Sequence, residues 1–135
     1  MSLQLSVSVR NAQLDAIEST IGTSAILEIR TGSAPANCAA ADSGTLLASM
    51  TLPSDWMAAA SSGSKALSGT WQDASANATG TAAHFRIKDS GGTTCHVQGT
   101  VTATGGGGDM TLDNTSIAST QQVTITSFTL TAGNA

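Results

Sequence analysis

The stretch Ala83–Val101, AHFRIKDSGGTTCHVQGTV, decides the fold class. Ala83, Phe85 and Ile87 alternate with His84, Arg86 and Lys88; after a break, Cys95, Val97, Gly99 and Val101 alternate with polar residues again. Two period-two runs separated by Asp89-Ser90-Gly91-Gly92 are a β-hairpin pattern. Opposed residues in a hairpin share a face, and both apolar sets fall on odd numbers, which requires a loop of odd length. A three-residue loop with a left-handed Gly predicts Asp89 opposite Thr93, Ile87 opposite Cys95, Phe85 opposite Val97 and Arg86 opposite His96.

Outward from the hairpin the β signals continue. Ala25, Leu27 and Ile29 alternate with Ile26, Glu28 and Arg30, and Leu46, Ala48, Met50 and Leu52 alternate up to Pro53, which stops a strand. Ser54 is placed to cap a helical turn through Asp55–Ala58, and Leu67–Trp71 reads as a further strand. Gly105–Gly108 reads as a loop tip before a short strand around Met110 and Leu112. In the last run, Gln121–Thr131, Val123 and Ile125 are in phase but Phe128 and Leu130 are not. This slip predicts a bulge near Ser127 or a strand end that turns its other face to a partner. At the N-terminus, Leu3, Leu5, Val7 and Val9 alternate as an extended arm over residues 1–9. Leu14, Ile17 and Ile21 recur at helical spacing, with Ser8 or Asn11 as cap and Gly22 as terminator, so a helix is expected over roughly residues 9–21. The sum is mainly β: a single-domain β-sandwich, jelly-roll-like, spanning 1–135, with seven or eight short strands and one short N-terminal helix.

Ala, Gly, Ser and Thr make up 74 of the 135 residues, and there is no Tyr. Large apolar residues are few, but they fall at strand-period positions, and net charge is only −4, so the composition points to a small-residue β protein and not a disordered chain. The apolar runs are too short for a membrane span, and the first residues lack the apolar core of a secretion signal. Five scattered basic residues in a chain with a pI near 4.7 argue against a nucleic-acid partner.

Residues that could carry chemistry are few. In the expected register His84 and His96 are diagonal neighbours on one face, but no third metal ligand joins them there, and they read as surface histidines. Cys38 and Cys95 are the only cysteines; they are either a disulfide joining the Pro35 loop to the hairpin or two buried thiols. No nucleophile elbow or phosphate loop is present, and Asp109 and Asp113 read as turn residues. The expectation is a chain without enzymatic activity, metal or cofactor. Trp56 is balanced between interface anchor and core, and Trp71 reads as core.

The segments Leu27-Glu28-Ile29-Arg30-Thr31-Gly32, Pro35-Ala36-Asn37-Cys38, Gly44-Thr45-Leu46-Leu47-Ala48, His84-Phe85-Arg86-Ile87 and Ser127-Phe128-Thr129-Leu130-Thr131 together resemble a family of small virion proteins of tailed bacteriophages. The resemblance runs from about Arg10 onward and rests on overall texture. It implies a structural protein, assembled in the host cytoplasm and placed on the capsid exterior. There it would act as a cement or decoration protein that binds across major capsid protein subunits as a dimer or trimer. A neck, tail or baseplate component, or a host-receptor- or carbohydrate-binding virion module, is the alternative. The candidate contact residues are Leu3, Leu5, Val7, Trp56, Met57, Phe128 and Leu130, with the N-terminal arm or Val123–Thr131 adding to a neighbouring sheet edge.

Overall fold

A computed structural model describes residues 2–135. It contains one helix, α1 (Val7–Ile21), and eleven short strands. Helix α1 begins earlier than expected because Ser6, not Ser8 or Asn11, is the cap: its hydroxyl accepts a hydrogen bond from the Val9 amide. Val7 and Val9 therefore belong to the helix, and of the arm expected over residues 1–9 only residues 2–5 precede the cap, Met1 lying outside the described residues. Leu14 and Ile21 are buried as the helical spacing requires, and Gly22 closes the helix at φ +93°, a conformation that favours Gly.

The main sheet has the order β2 (Leu46–Thr51), β1 (Ile26–Arg30), β6 (His84–Lys88), β7 (Cys95–Ala103) and β8 (Met110–Leu112). All neighbours are antiparallel except β7 and β8. That parallel return is made by a very short connection, Thr104–Asp109, through the Gly105–Gly108 run. Gly105 and Gly107 have positive φ, and the Gly108 amide donates to the Thr102 hydroxyl, which folds the run back against β7. Three two-stranded pieces complete the fold: β4 (Trp71–Asp73) with β10 (Val123–Ile125), β3 (Ser64–Ala66) with β11 (Thr129–Thr131), and β5 (Gly80–Thr81) with β9 (Ser116–Ile117). Among the described residues, no helix is long and apolar enough to cross a membrane.

The hairpin is present, but its register differs from the expected one. Ile87 faces Val97, Phe85 faces Gly99 and Arg86 faces Gln98, while Lys88 faces Cys95, with a bulge on β7 absorbing the extra residue. Val97 and Gly99 still share a face with Ile87 and Phe85 because a shift of two preserves parity, but the bulge turns Cys95 to the face of Lys88, away from its expected place in the apolar set. The slip at the end of the chain also has a local cause. Val123–Ile125 and Thr129–Thr131 are two strands with different partners inside the chain, β4 and β3. Where a helical turn is expected after Ser54, the chain instead forms an isolated bridge between Met57 and Leu67.

The core takes all four aromatic rings of the chain in one row. Trp56 packs on Trp71 at 5.9 Å between centroids, Trp71 on Phe128 at 5.7 Å, and Phe128 on Phe85 at 5.5 Å, edge to face. Both indoles are satisfied: Trp56 Nε1 donates to the Gly22 carbonyl, and Trp71 Nε1 donates to the Trp56 and Ser68 carbonyls. Trp56, Met57 and Phe128 are therefore buried and cannot touch a partner, which corrects their assignment as contact residues. Leu130 and Leu5 are half-buried: Leu130 stands opposite Lys65 across β11 and β3, and the Leu5 amide donates to the Asn134 carbonyl.

Candidate functional site

The alternation that sends Leu27, Ile29, Phe85 and Ile87 into the core sends Glu28, Arg30, His84, Arg86 and Lys88 to the other face of the sheet. A sheet of this kind would ordinarily leave that face in water. Here all five residues of β6 are buried, because the loop Thr31–Thr45 folds back across it. The loop is pinched at its base: the Thr31 amide donates to the Thr45 carbonyl and the Thr45 amide to the Thr31 hydroxyl. Gly44 lies against this closure at φ +71°, so close that a Cβ would stand 2.0 Å from the Thr31 carbonyl oxygen.

The loop is fastened through its own carbonyls and one carboxylate. One Arg86 amine donates to the carbonyls of Asn37 (3.3 Å), Cys38 (2.9 Å) and Ala40 (3.1 Å), while the other donates to Asp42. Gln98 Nε2 donates to the Pro35 carbonyl at 2.7 Å, and His84 Nδ1 lies 2.7 Å from the Gly32 carbonyl. Asp42 also accepts from Lys88 at 2.7 Å and Arg30 at 3.3 Å, and Glu28 pairs with the same two cations at 2.9 and 3.1 Å. Arg86 suits the central place because its planar fork can satisfy several acceptors at once.

Electrostatics follow from this enclosure. Burial pushes the Asp42 carboxyl up, but hydrogen bonds from Lys88 and Arg86 and the charge of Arg30 outweigh it, and the net shift is downward. Burial alone would lower Lys88 and Arg86; their carboxylate partners hold both above their ordinary values. Burial is also the main cause that lifts the Cys95 thiol to about 11, reinforced by the Cys38 thiol and opposed by Arg86. Cys38 and Cys95 are both half-buried free thiols on the same surface hollow, lined further by Ala39–Asp42, Thr93 and Thr94. The structure thus places both cysteines on one hollow, Cys38 from the loop and Cys95 from β7.

The histidines do not meet. His84 is fully buried under the loop, not at the surface, and faces Thr100 across the hairpin, whereas His96 lies in the bulged part of β7 beside Ile17 and Ile21 of α1. No group of three or more metal-ligating side chains occurs among the described residues.

A second set of charges docks the helix. Asn11, Asp15 and Glu18 face inward, accepting from the amides of Gly63, Ala60 and Met57 respectively. The Lys65 ammonium, 2% exposed, reaches Asp15 at 2.7 Å and Glu18 at 2.8 Å. Burial lowers Lys65, but these two carboxylates outweigh it and leave it raised. With Arg10 and Arg30 half-buried, every one of the five basic side chains is turned inward. Among the described residues, Asp42, Asp55, Asp109 and Asp113 are the exposed charged side chains, so the surface they form is uncharged or acidic.

Reading the sequence missed both arrangements. The signal was present in part: Glu28 and Arg30 on one strand and Arg86 and Lys88 on another are complementary in charge, and Asp42 is the one acidic residue in the small-residue loop that follows β1. Among the described residues, Leu3 (72% exposed), Val7 and Val9 are the exposed large hydrophobic residues, and all belong to the N-terminal segment and the first turn of α1. Comparison with protein families, with characterised proteins and with solved structures finds no match.

Proposed function

We propose that this chain is a structural protein of a tailed-bacteriophage particle, a cement or decoration protein that binds across neighbouring major capsid protein subunits on the head exterior. It acts by adhesion, not catalysis. The observation that carries this reading is the segregation of charge and apolar surface. Four of the five basic side chains are paired internally, most of the described surface is Ser, Thr, Ala and Gly, and the exposed large apolar side chains among the described residues sit in one N-terminal segment. Such a surface has few charges to desolvate on contact, and charged residues are depleted at the centres of protein interfaces. The absence of an exposed cation among the described residues speaks against nucleic acid as the partner.

In this reading the three two-stranded pieces form the second layer of a jelly-roll-like sandwich, and copies assemble as dimers or trimers at local symmetry axes of the head. The contact is made by Leu3, Val7 and Val9. The test is addition of the purified protein to heads assembled without it, beside a variant carrying Leu3→Ser, Val7→Ser and Val9→Ser. Saturable binding of the wild type and loss of binding by an equally stable variant are expected; equal binding by both would overturn the assignment of the contact. Binding to isolated tails but not heads would support a neck, tail or baseplate component instead.

A further inference from the structure

We propose that Cys38 and Cys95 are a disulfide-forming pair that latches the Thr31–Thr45 loop to the hairpin when the protein meets an oxidising small-molecule disulfide. The inference does not depend on the virion reading.

The geometry that carries it is convergence. Cys38 lies in the loop and Cys95 at the start of β7, remote in sequence, yet both line one hollow. Each side is held in place by contacts that do not involve sulfur. The Cys38 carbonyl accepts from Arg86 at 2.9 Å, and Arg86 lies on the strand paired with the one that carries Cys95. On the other side, Cys95 stands opposite Lys88, whose ammonium is held by Asp42 of the same loop. The loop is therefore registered on the sheet before any bond forms, which limits the backbone movement that closure would need. Both residues are half-buried, so a small disulfide can reach them through the hollow. At neutral pH Cys95 is a thiol, not a thiolate, which makes closure slow in a reducing, neutral compartment and faster as pH rises.

The chemistry is two exchange steps. One protein thiolate attacks the small disulfide, displacing one small thiolate and leaving a mixed disulfide on the protein. The second protein thiolate then attacks the protein-side sulfur, displacing the other small thiolate. The two protein sulfurs are oxidised, the small disulfide is reduced to two thiols, and the protons of the two cysteines go to the departing thiolates. The bond fastens the loop at a point that the ion pairs hold only reversibly.

The test uses the folded full-length protein incubated with oxidised glutathione. Intact mass should fall by two hydrogens with no glutathione retained, and a non-reducing digest should link the peptides containing Cys38 and Cys95. The thermal midpoint should rise by roughly 10 °C and return on reduction. Cys38→Ser and Cys95→Ser should each retain one glutathione and show no such rise. Because the network of Arg86, Asp42 and Lys88 is intact in both, these variants are expected to fold. Two unlinked glutathione adducts on the wild type, a link only between chains, or a link that leaves the midpoint unmoved would each overturn the proposal.

Discussion

Replacing Asp42 by Asn removes one charge at nearly constant volume and probes the polar face where it is most concentrated. In the native protein two carboxylates, Glu28 and Asp42, face three cations, Arg30, Arg86 and Lys88. In the variant one carboxylate faces the same three. Breaking a buried pair from one side costs about 3–5 kcal/mol, because the remaining charge stays desolvated. Here the loss is smaller. Glu28 still serves Arg30 and Lys88, the carbonyls of Asn37, Cys38 and Ala40 still serve Arg86, and the Asp42 side chain is 32% exposed. The expected destabilisation is about 2–3 kcal/mol after allowing for this exposure. It should be read from urea unfolding with an unchanged slope and should lower the thermal midpoint by about 10 °C. The pH dependence supplies an internal check. A carboxyl lowered by folding stabilises fully above its unfolded value, about 3.9, and loses that contribution as pH falls through the lower folded value. Asp42→Asn should therefore flatten the acid limb of the stability profile below about pH 4. A loss under about 0.5 kcal/mol, or an acid limb identical to the wild type, would show that solvent screens the network and would refute the reasoning.

Three further substitutions test other parts of the fold. Gly44→Ala and Gly32→Ala both place a side chain at positive φ, but only the first drives it into the Thr31 carbonyl; chemical denaturation should show a cost of about 1 kcal/mol at Gly32 and at least about 3 kcal/mol at Gly44. Trp71→Phe removes the indole donor to the Trp56 and Ser68 carbonyls and part of the aromatic row, with an expected loss of about 2–3 kcal/mol by the same measurement. At the helix, Lys65→Met leaves two carboxylates that retain backbone amide donors and partial solvation, whereas Asp15→Ala with Glu18→Ala strands a buried ammonium. Calorimetry should find the double carboxylate variant clearly less stable than Lys65→Met.

Much of the architecture was legible because apolar side chains mark strand faces by parity. Leu27, Ile29, Phe85 and Ile87 are core residues as their alternation requires, and Leu14, Ile17 and Ile21 place helix α1. Pairing register was not legible. A shift of two residues preserves parity, so the pattern is equally compatible with Ile87 facing Cys95 or Val97, and it carries no sign of the one-residue bulge that turns Cys95 to the face of Lys88. The break between β10 and β11 looks like a bulge in sequence because an apolar pattern does not say which partner a strand has. The polar face was missed for a different reason. Alternation identifies which residues turn away from the core, but not whether a loop will cover them. His84, Arg86 and Lys88 find partners under the loop because Gly32, Asn37, Cys38 and Ala40 offer carbonyls, and Asp42 a carboxylate, at matching positions, while the Pro35 carbonyl meets Gln98. Backbone carbonyls carry no sequence signature. The aromatic residues show the same limit: Trp56 beside Pro53 has the sequence surroundings of an exposed anchor, and its bond to Gly22 at the end of α1 and its packing on Trp71 make it core.

Internal pairing of Arg30, Lys65, Arg86 and Lys88 and outward placement of Leu3, Val7 and Val9 are the observations on which the proposed contact role rests. The most direct test of that claim is the copy number of this chain in purified particles, measured by quantitative mass spectrometry against the major capsid protein. Hundreds of copies per particle, in fixed ratio to the capsid protein, are the expected result. Six or twelve copies would move the protein to the neck or tail, and its absence from the particle would contradict the structural role.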